Sequence, residues 1–412
     1  MPRAPLVLAW LALAAWTVAR QVLPHLDAIG SSFPGYWVVA REVAAGTPAI
    51  QLYDDAWLAA RMAAEGFSAD RMLGPPALAL TALPVAGLPY ATARAVWMLA
   101  VLTPCLLGSV YALCRRLPPA HGLALGAALL LGRPTEAGME VAQVYPLFLL
   151  FHVIALDGWR RGAPIRGGLA LAPVMLTRGW HGLPQALGWL VAGRWRGAAV
   201  ALGGVVAGAL LTLPVLGAAS WWHFVTVQSR EAADSPYAFV TSYQTWRSLA
   251  LHLTSFDPAF GPDPPLPGAG PVPWLVGAAV IAAVTVWAGR RARPGSGAGF
   301  ALWTTTALLL APFAEDYHYV LAAVPLVVFW EEAPRRRAAL VLAMVLILVD
   351  WDFDRPTLVG GWRSLAAYPR VWGALVLLAV GVEHAATAHP AAATTPDPRH
   401  PGPDATSVGS PP

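Results

Sequence analysis

Residues 31–46 read SSFPGYWVVAREVAAG, residues 52–66 LYDDAWLAARMAAEG, and residues 72–76 MLGPP. Together they fill most of a polar stretch, Asp27 to Pro76, that follows one hydrophobic segment and precedes many others. Ser32 stands where an N-cap belongs, with Pro34 in the first turn. Phe33, Tyr36, Trp37, Ala40 and Ala44 recur at helical spacing, and Gly46 suits the end of that helix. Asp54 and Asp55 suit the start of a second helix, where negative charge meets the dipole. Trp57, Leu58, Arg61 and Glu65 continue it, and Gly66 closes it. Neither helix is long enough to cross a bilayer. The pair reads as an interfacial hairpin with aromatic anchors or as the lid of an active site.

The flanking composition sets the class. The chain has 412 residues, 57% hydrophobic and 12% charged, against about 25% charged in a soluble domain. It is read as an all-α polytopic membrane protein with about ten to twelve membrane segments. All 27 basic residues are arginine. The net charge of +4 comes with no basic patch interleaved with aromatics, so no nucleic-acid partner is expected. Cys105 and Cys114 lie in one apolar segment without metal or redox spacing and read as buried thiols. No cofactor and no metal site is predicted.

The first apolar segment, Leu6 to Leu23, can cross at ~1.5 Å per residue, and no small-residue cleavage site marks it as a signal peptide. The loop from His25 to Met72 carries six acids and three arginines, which places it outside. Arginines at 115–116, 160–166, 194–196, 290–293 and 335–337 mark the opposite, cytoplasmic side. That assignment strains the parity at 75–113, so the Pro75–Leu88 segment is read as partly re-entrant or as a continuation of the segment after it. A second outer loop runs from Ser220 to Gly270 and holds a short helix in TSYQTWRSLALHL. Gly204 and Gly208 sit at close-packing spacing in the span before it. One membrane domain, 1–387, is expected, with both chain ends cytoplasmic and the protein in the plasma membrane. Residues 388–412, with seven prolines, are read as a disordered tail.

No phosphate loop, zinc signature, Rossmann fingerprint or serine-hydrolase elbow is visible. The candidates are polar residues at the outer ends of apolar segments, where ionisable groups are costly. Asp316 and His318, with Glu315 beside them, suit proton transfer, or form a wet turn. Arg247 lies on the second-loop helix, and Gln244, Ser248 and His252 share one face there. An arginine suits phosphate; a solvated helix face is the plainer reading. Arg178 and His181 sit in a break between short apolar segments, as a lipid-phosphate contact or a simple turn. Gln143 can bond a sugar hydroxyl or a neighbouring helix.

The motifs FPGYWVVAREVAAG, LYDD, LGPPALALTALPVAGLP, VAQVYPLF, TRGWHGLP and APFAEDYHYVLAAVP come in an order that resembles the polytopic GT-C glycosyltransferases. The resemblance is greatest to the family-87 alpha-mannosyltransferases of actinobacteria, over roughly residues 5 to 385. It implies a GT-C-like bundle and an extracytoplasmic active site. It also implies transfer of a sugar, mannose in those enzymes, from a polyprenyl-phosphate donor to a glycolipid or glycan acceptor. In such enzymes a first-loop acid acts as general base, and basic residues hold the phosphate leaving group. The residues implied for binding are Tyr36, Tyr53, Asp54, Gln143, Arg178, His181, Gln244 and Arg247. Here the position just before the motif's aromatic residue, usually aspartate, is Ser32, and serine cannot be that base. Asp27 is the first replacement, if the loop bends at Gly30; His318 and then Asp316 follow. The alternatives are a catalytically inactive relative, or a transporter or flippase for a lipid-linked sugar. A transporter should show repeats and mid-membrane charge, and the chain shows no obvious repeat.

Overall fold

A computed structural model describes residues 3–69, 71–72, 74–230, 240–258, 261–351, 356–358 and 360–387. The predicted tail at 388–412 lies outside them, as do Asp352 and Asp354. Regular structure among the described residues is helical throughout, with one isolated bridge between Asp257 and Gly261. The chain is an all-α polytopic membrane protein. Among the described residues, five helices are long and apolar enough to cross a bilayer: Ala4–His25, Tyr90–Cys114, Trp195–Gln228, Val272–Arg291 and Pro369–Thr387. The ten to twelve segments expected from hydropathy include many shorter helices, from the 9 residues of Leu183–Val191 to the 16 of Tyr145–Arg160. The segment after Pro75 is two short 3-10 turns, Pro76–Leu80 and Leu83–Val85, packed under the first-loop helix. At ~2 Å rise per residue these turns cannot span, which removes the parity conflict.

The core surrounds Ala298–Leu310. Every residue from Ala298 to Leu309 is buried, as a helix apolar on all sides should be. The helical run 195–223, which breaks at Gly217 (φ +69°), is also strongly apolar and yet leaves Leu211 before the break 80% and Trp222 after it 71% exposed. These side chains are uncovered among the described residues, and in a membrane protein they meet lipid. The other face of the run packs along Pro164–Arg178. A Cβ on Gly204 would stand 2.6 Å from that of Ala172, so the small residues at this crossing permit the close approach. This contact fixes where Pro164–Arg178 ends, and so where Arg178 sits.

The first loop forms the two helices its caps predict. Phe33–Ala44 ends at Gly46 (φ +85°), and Asp55–Ala64 ends at Gly66 (φ +80°). Arg41 pairs with Glu65 at 2.8 Å and Arg61 with Glu42 at 3.5 Å, which ties the helices together. The Asp54 carboxylate caps the second helix through the N–H groups of Ala56 (3.0 Å) and Trp57 (3.1 Å). Ser32 is different. It occupies the N-cap position, but its hydroxyl makes no cap bond.

Helix direction separates the molecule into two ends. Tyr145–Arg160 runs from one end to the other, Pro164–Arg178 runs back, and Ala323–Glu332 again runs away. At the far end Arg160 meets Glu331 (2.7 Å) and Glu332 (2.9 Å). Asp157 there gathers Arg161 (2.9 Å), Arg166 (3.1 Å) and Arg116 (3.3 Å). Arg336 pairs with Glu383 at the same end.

Candidate active site

At the near end the chain breaks meet. A chamber of about 270 Å³ is lined by Ser31, Ser32, Tyr36 and Arg71 of the first loop, and by Gln143, Arg178, Tyr243, Phe313, Glu315 and Tyr317. The two large loops, the break after Val141, the break after Arg178 and the late turn therefore all contribute to one cavity. The Tyr36 hydroxyl donates to Gln143 Oε1 (2.5 Å), and Gln143 Nε2 donates to Ser32 Oγ (2.7 Å). Arg178 Nη2 donates to the Tyr36 hydroxyl at 3.3 Å. The hydroxyl of Ser32 is thus engaged by a side chain 111 residues away, which is why it does not cap its own helix.

Gln143 is aimed by a strained backbone. Ala142 has φ +52°, the one non-glycine residue with positive φ among those described, a conformation that costs an L-residue roughly 1–2 kcal/mol. Its carbonyl accepts from Trp97 Nε1 at 3.0 Å, and the N–H of Gln143 reaches Gly138 O at 2.9 Å. Arg94 closes the other side of this turn. It is fully buried and donates to the carbonyls of His25 (3.1 Å), Ile29 (3.2 Å) and Glu140 (2.7 Å). Gly30 (φ +70°) turns the chain there; a Cβ would stand 2.7 Å from Arg94 Nη1. Arg94 therefore holds the start of the first loop against the end of the Arg133–Glu140 helix. It is a lone arginine in an apolar span, a sufficient signal in itself, and the sequence reading passed over it.

Arg178 ends its helix, where a cation complements the dipole. No carboxylate lies within ion-pair distance of it among the described residues, and its Nε is buried without a hydrogen bond. A second, mainly apolar groove of about 230 Å³ adjoins the chamber and shares Arg178 and Phe313 with it. Met175, Trp180, Leu183 and Phe224 line this groove, and Trp180 and Leu183 are exposed on the side of the bundle. The guanidinium thus stands where a polar chamber and an apolar channel join. It is a planar donor fork with spare capacity for an anion.

The late turn separates three neighbouring groups. Glu315 lines the chamber; its carbonyl accepts the N–H of His318 at 3.0 Å, and His318 Nδ1 accepts the N–H of Glu315 at 3.0 Å. The imidazole proton is therefore on Nε2. The His318 ring is enclosed by Tyr145 (4.2 Å), Tyr317 (4.6 Å) and His181 (5.1 Å). Burial first, then His181 and Arg178, hold its pKa well below the usual histidine value, so it is neutral near pH 7. Asp316 faces away from the chamber lining. It pairs with the fully buried Arg370 at 3.0 Å and with Arg133 at 3.5 Å. Burial pushes its carboxyl upward, against the lowering pull of Arg370 and Arg133.

Of the residues singled out from sequence, Tyr36, Gln143 and Arg178 line the chamber, and His181 and His318 pack behind its wall. The others lie elsewhere. Asp27 is exposed and outside the chamber lining, although the loop does bend at Gly30. Tyr53 donates to Gly74 O (3.0 Å) and stacks on His223 (5.1 Å), and Asp54 is a cap. Arg247 rests on the Trp274 ring at 5.7 Å. Gln244 is fully buried; its Nε2 donates to Thr241 O (2.6 Å) and Ala367 O (2.8 Å), and its Oε1 accepts from Arg370 N (3.3 Å). The face formed by Gln244, Ser248 and His252 is the buried face of the Trp246–Thr254 helix. No group of three or more His, Cys, Asp or Glu residues is gathered to hold a metal among the described residues.

The described residues thus form a helical membrane bundle with a polar chamber at one end, adjoining an apolar groove beside Arg178. Residues 73–313, more than half of the chain, match glycosyltransferase family 87. The chain belongs to this family and is a membrane glycosyltransferase. Gln143 and Arg178 fall inside the matched stretch, whereas Ser32, Glu315 and His318 fall outside it. No curated protein and no solved structure gives a match.

Proposed function

We propose that this protein transfers a sugar, mannose on the strength of the family resemblance, from a polyprenyl-phosphate donor to a glycolipid or glycan acceptor on the extracytoplasmic side. The observation that carries this reading is the position of Arg178 between chamber and groove. A polyprenyl phosphate has a single anionic phosphodiester between a sugar and an apolar chain. With the phosphate at Arg178, the prenyl chain follows Met175, Trp180 and Phe224 toward the lipid. The sugar then enters the chamber beside Gln143 and Tyr36. The acceptor hydroxyl attacks the anomeric carbon, the bond from that carbon to the phosphate oxygen breaks, and the lipid phosphate leaves with the electron pair. A phosphate leaving group needs charge stabilisation more than strong acid help, and the Arg178 fork supplies it in a site partly shielded from water. The arginine-rich far end supports a cytoplasmic placement of that end by the positive-inside rule, which puts the chamber outside.

The test is direct. Purified protein in lipid nanodiscs is incubated with radiolabelled polyprenyl-phosphate-mannose and a panel of glycolipid acceptors. Label should move to an acceptor, with release of polyprenyl phosphate. Absence of transfer from this donor, with transfer from a nucleotide sugar, would overturn the donor assignment.

A further inference from the structure

We infer that the first span and the Tyr90–Cys114 span together hold one anionic phospholipid, in the leaflet at the arginine-rich end, with an acyl chain between the two helices and the headgroup phosphate at Arg115. A groove of about 510 Å³ lies between them, on a different face of the bundle from the chamber. Leu6, Trp10 and Ala14 form one wall, and Leu107, Tyr111 and Arg115 the other. Both triads have the i, i+4, i+8 spacing of a single helix face. Arg115 is the only charged residue among the described residues that line the groove.

Length and charge select a lipid over a protein partner. From Leu6 to Ala14, and from Leu107 to Arg115, the walls rise about 12 Å at ~1.5 Å per residue. That is less than half of a ~30 Å hydrocarbon core, so the groove belongs to one leaflet, whereas a partner's crossing helix would need a seam through both. Arg115 is exposed at the end of the groove, and no ion pair of it is found among the described residues; Arg116 beside it reaches Asp157 at 3.3 Å. A guanidinium fork matches the paired oxygens of a phosphate. The groove walls are held apart by an aromatic brace. Trp10 packs edge-on to Tyr111 at 5.3 Å, and a Cβ on Gly126 would stand 2.5 Å from its ring. Lipid tails are as apolar as leucine, so the acyl chain alone gives no preference among lipids. The preference comes from the charge at Arg115, roughly fivefold for one arginine at an anionic surface. The first span has little else to hold it, since 17% of its apolar window is buried. A lipid bound along it ties that span to the bundle, and with it the start of the loop that carries Ser31, Ser32 and Tyr36.

The experiment places the full-length protein in nanodiscs of phosphatidylcholine and phosphatidylglycerol in equal amounts. Native mass spectrometry then counts the lipids that stay bound. Wild type should retain phosphatidylglycerol over phosphatidylcholine by roughly fivefold, and should melt at a higher temperature with it than in phosphatidylcholine alone. Arg115→Gln should bring the ratio close to one and remove the rise in melting temperature. Gly108→Leu fills the groove from a position whose Cβ meets nothing within 4 Å, and leucine is a better helix former than glycine, so this variant should fold and retain less of either lipid. Arg196→Gln removes an exposed arginine at the same end, outside the groove lining, and should keep the wild-type ratio. Phosphatidylglycerol with a photoreactive acyl chain should label peptides spanning 6–14 and 107–111. Equal retention of the two lipids by wild type would overturn the inference. So would a ratio unmoved by both Arg115→Gln and Gly108→Leu, or an equal fall in Arg196→Gln, which would mean surface charge alone. Crosslinking of a second copy of the chain across this face, or displacement of the phosphatidylglycerol by polyprenyl phosphate, would give the groove to another occupant.

Discussion

The two ends of the bundle use the same residue type in opposite ways. At the far end Arg160 meets two carboxylates within 2.9 Å, and Asp157 gathers three arginines. At the chamber end Arg178 has, among the described residues, the Tyr36 hydroxyl alone, and its Nε is buried without a hydrogen bond to them. Exposed ion pairs contribute ~0–1 kcal/mol each and set little more than local geometry. A buried donor left unmade costs ~1–3 kcal/mol, and more when charged. An arrangement that carries such a cost at Arg178, while Arg160 and the arginines around Asp157 are neutralised, distinguishes a site from a scaffold. Asp316 and Arg370 show the scaffold use within the chamber end itself, since there the buried cation is paired.

The comparison can be broken most severely at that buried pair. Asp316→Ala removes the carboxylate paired with the buried Arg370 guanidinium, at a cost of ~3–5 kcal/mol. The thermal midpoint in detergent should fall sharply, while any protein that remains folded should keep a donor Kd near that of wild type. A variant that melts normally but loses turnover would return Asp316 to the chemistry.

Next comes Arg178→Ala. Removal of one partner from a buried, hydrogen-bonded charge contact costs ~2–5 kcal/mol, and donor affinity should fall by about 10²-fold or more. Arg178→Lys should recover only part of this, because lysine lacks the planar fork. Arg160→Ala, at the far end, should leave transfer kinetics unchanged. Equal losses in the two arginine variants would erase the distinction between the ends.

A smaller effect is expected of Tyr36→Phe, which removes the hydroxyl between Gln143 and Arg178. The loss of one such bond, ~0.5–1.5 kcal/mol, corresponds to a change of roughly threefold to tenfold in kcat/KM. Steady-state kinetics will show whether it falls in that range.

The smallest effect concerns pH. His318 is held neutral in the folded protein, with its pKa well below the usual value, whereas an unfolded chain takes up the proton below about pH 6.5. The unfolded state then binds more protons, so stability is present above that pH and declines as the pH falls toward the lowered folded pKa. Melting curves at pH 7 and pH 5 should show the decline, and His318→Gln should reduce it.

What could be read in the sequence was local. Asp54 caps the helix that follows it, and Gly46 and Gly66 adopt the positive φ that ends a helix, all from chemistry confined to a few residues. Arg178 was legible as a polar break for the same reason. Ser32 was legible as the N-cap position, but not the partner of its hydroxyl, because Gln143 is 111 positions away. The face of Gln244, Ser248 and His252 was legible as a helix face, but its burial depends on partners such as Tyr368 and Arg370, more than 110 residues further on. For Arg247, helical periodicity gives the face, and the packing against Trp274 adds its direction. Glu315 was noticed only as a neighbour of Asp316, since alternation between chamber and core along a short turn has no sequence signature. The helix count was legible only as a range, because apolar runs of 10–16 residues look alike whether or not they cross the bilayer.

Ala142 carries a consequence for engineering. Its left-handed backbone is a conformation glycine adopts without penalty, so Ala142→Gly relieves strain even after allowance for a looser unfolded chain. A library ranked by heat resistance would favour that substitution. It would also slacken the turn that aims Gln143 at Tyr36 and Ser32, in a position where hardiness and turnover are selected in opposite directions.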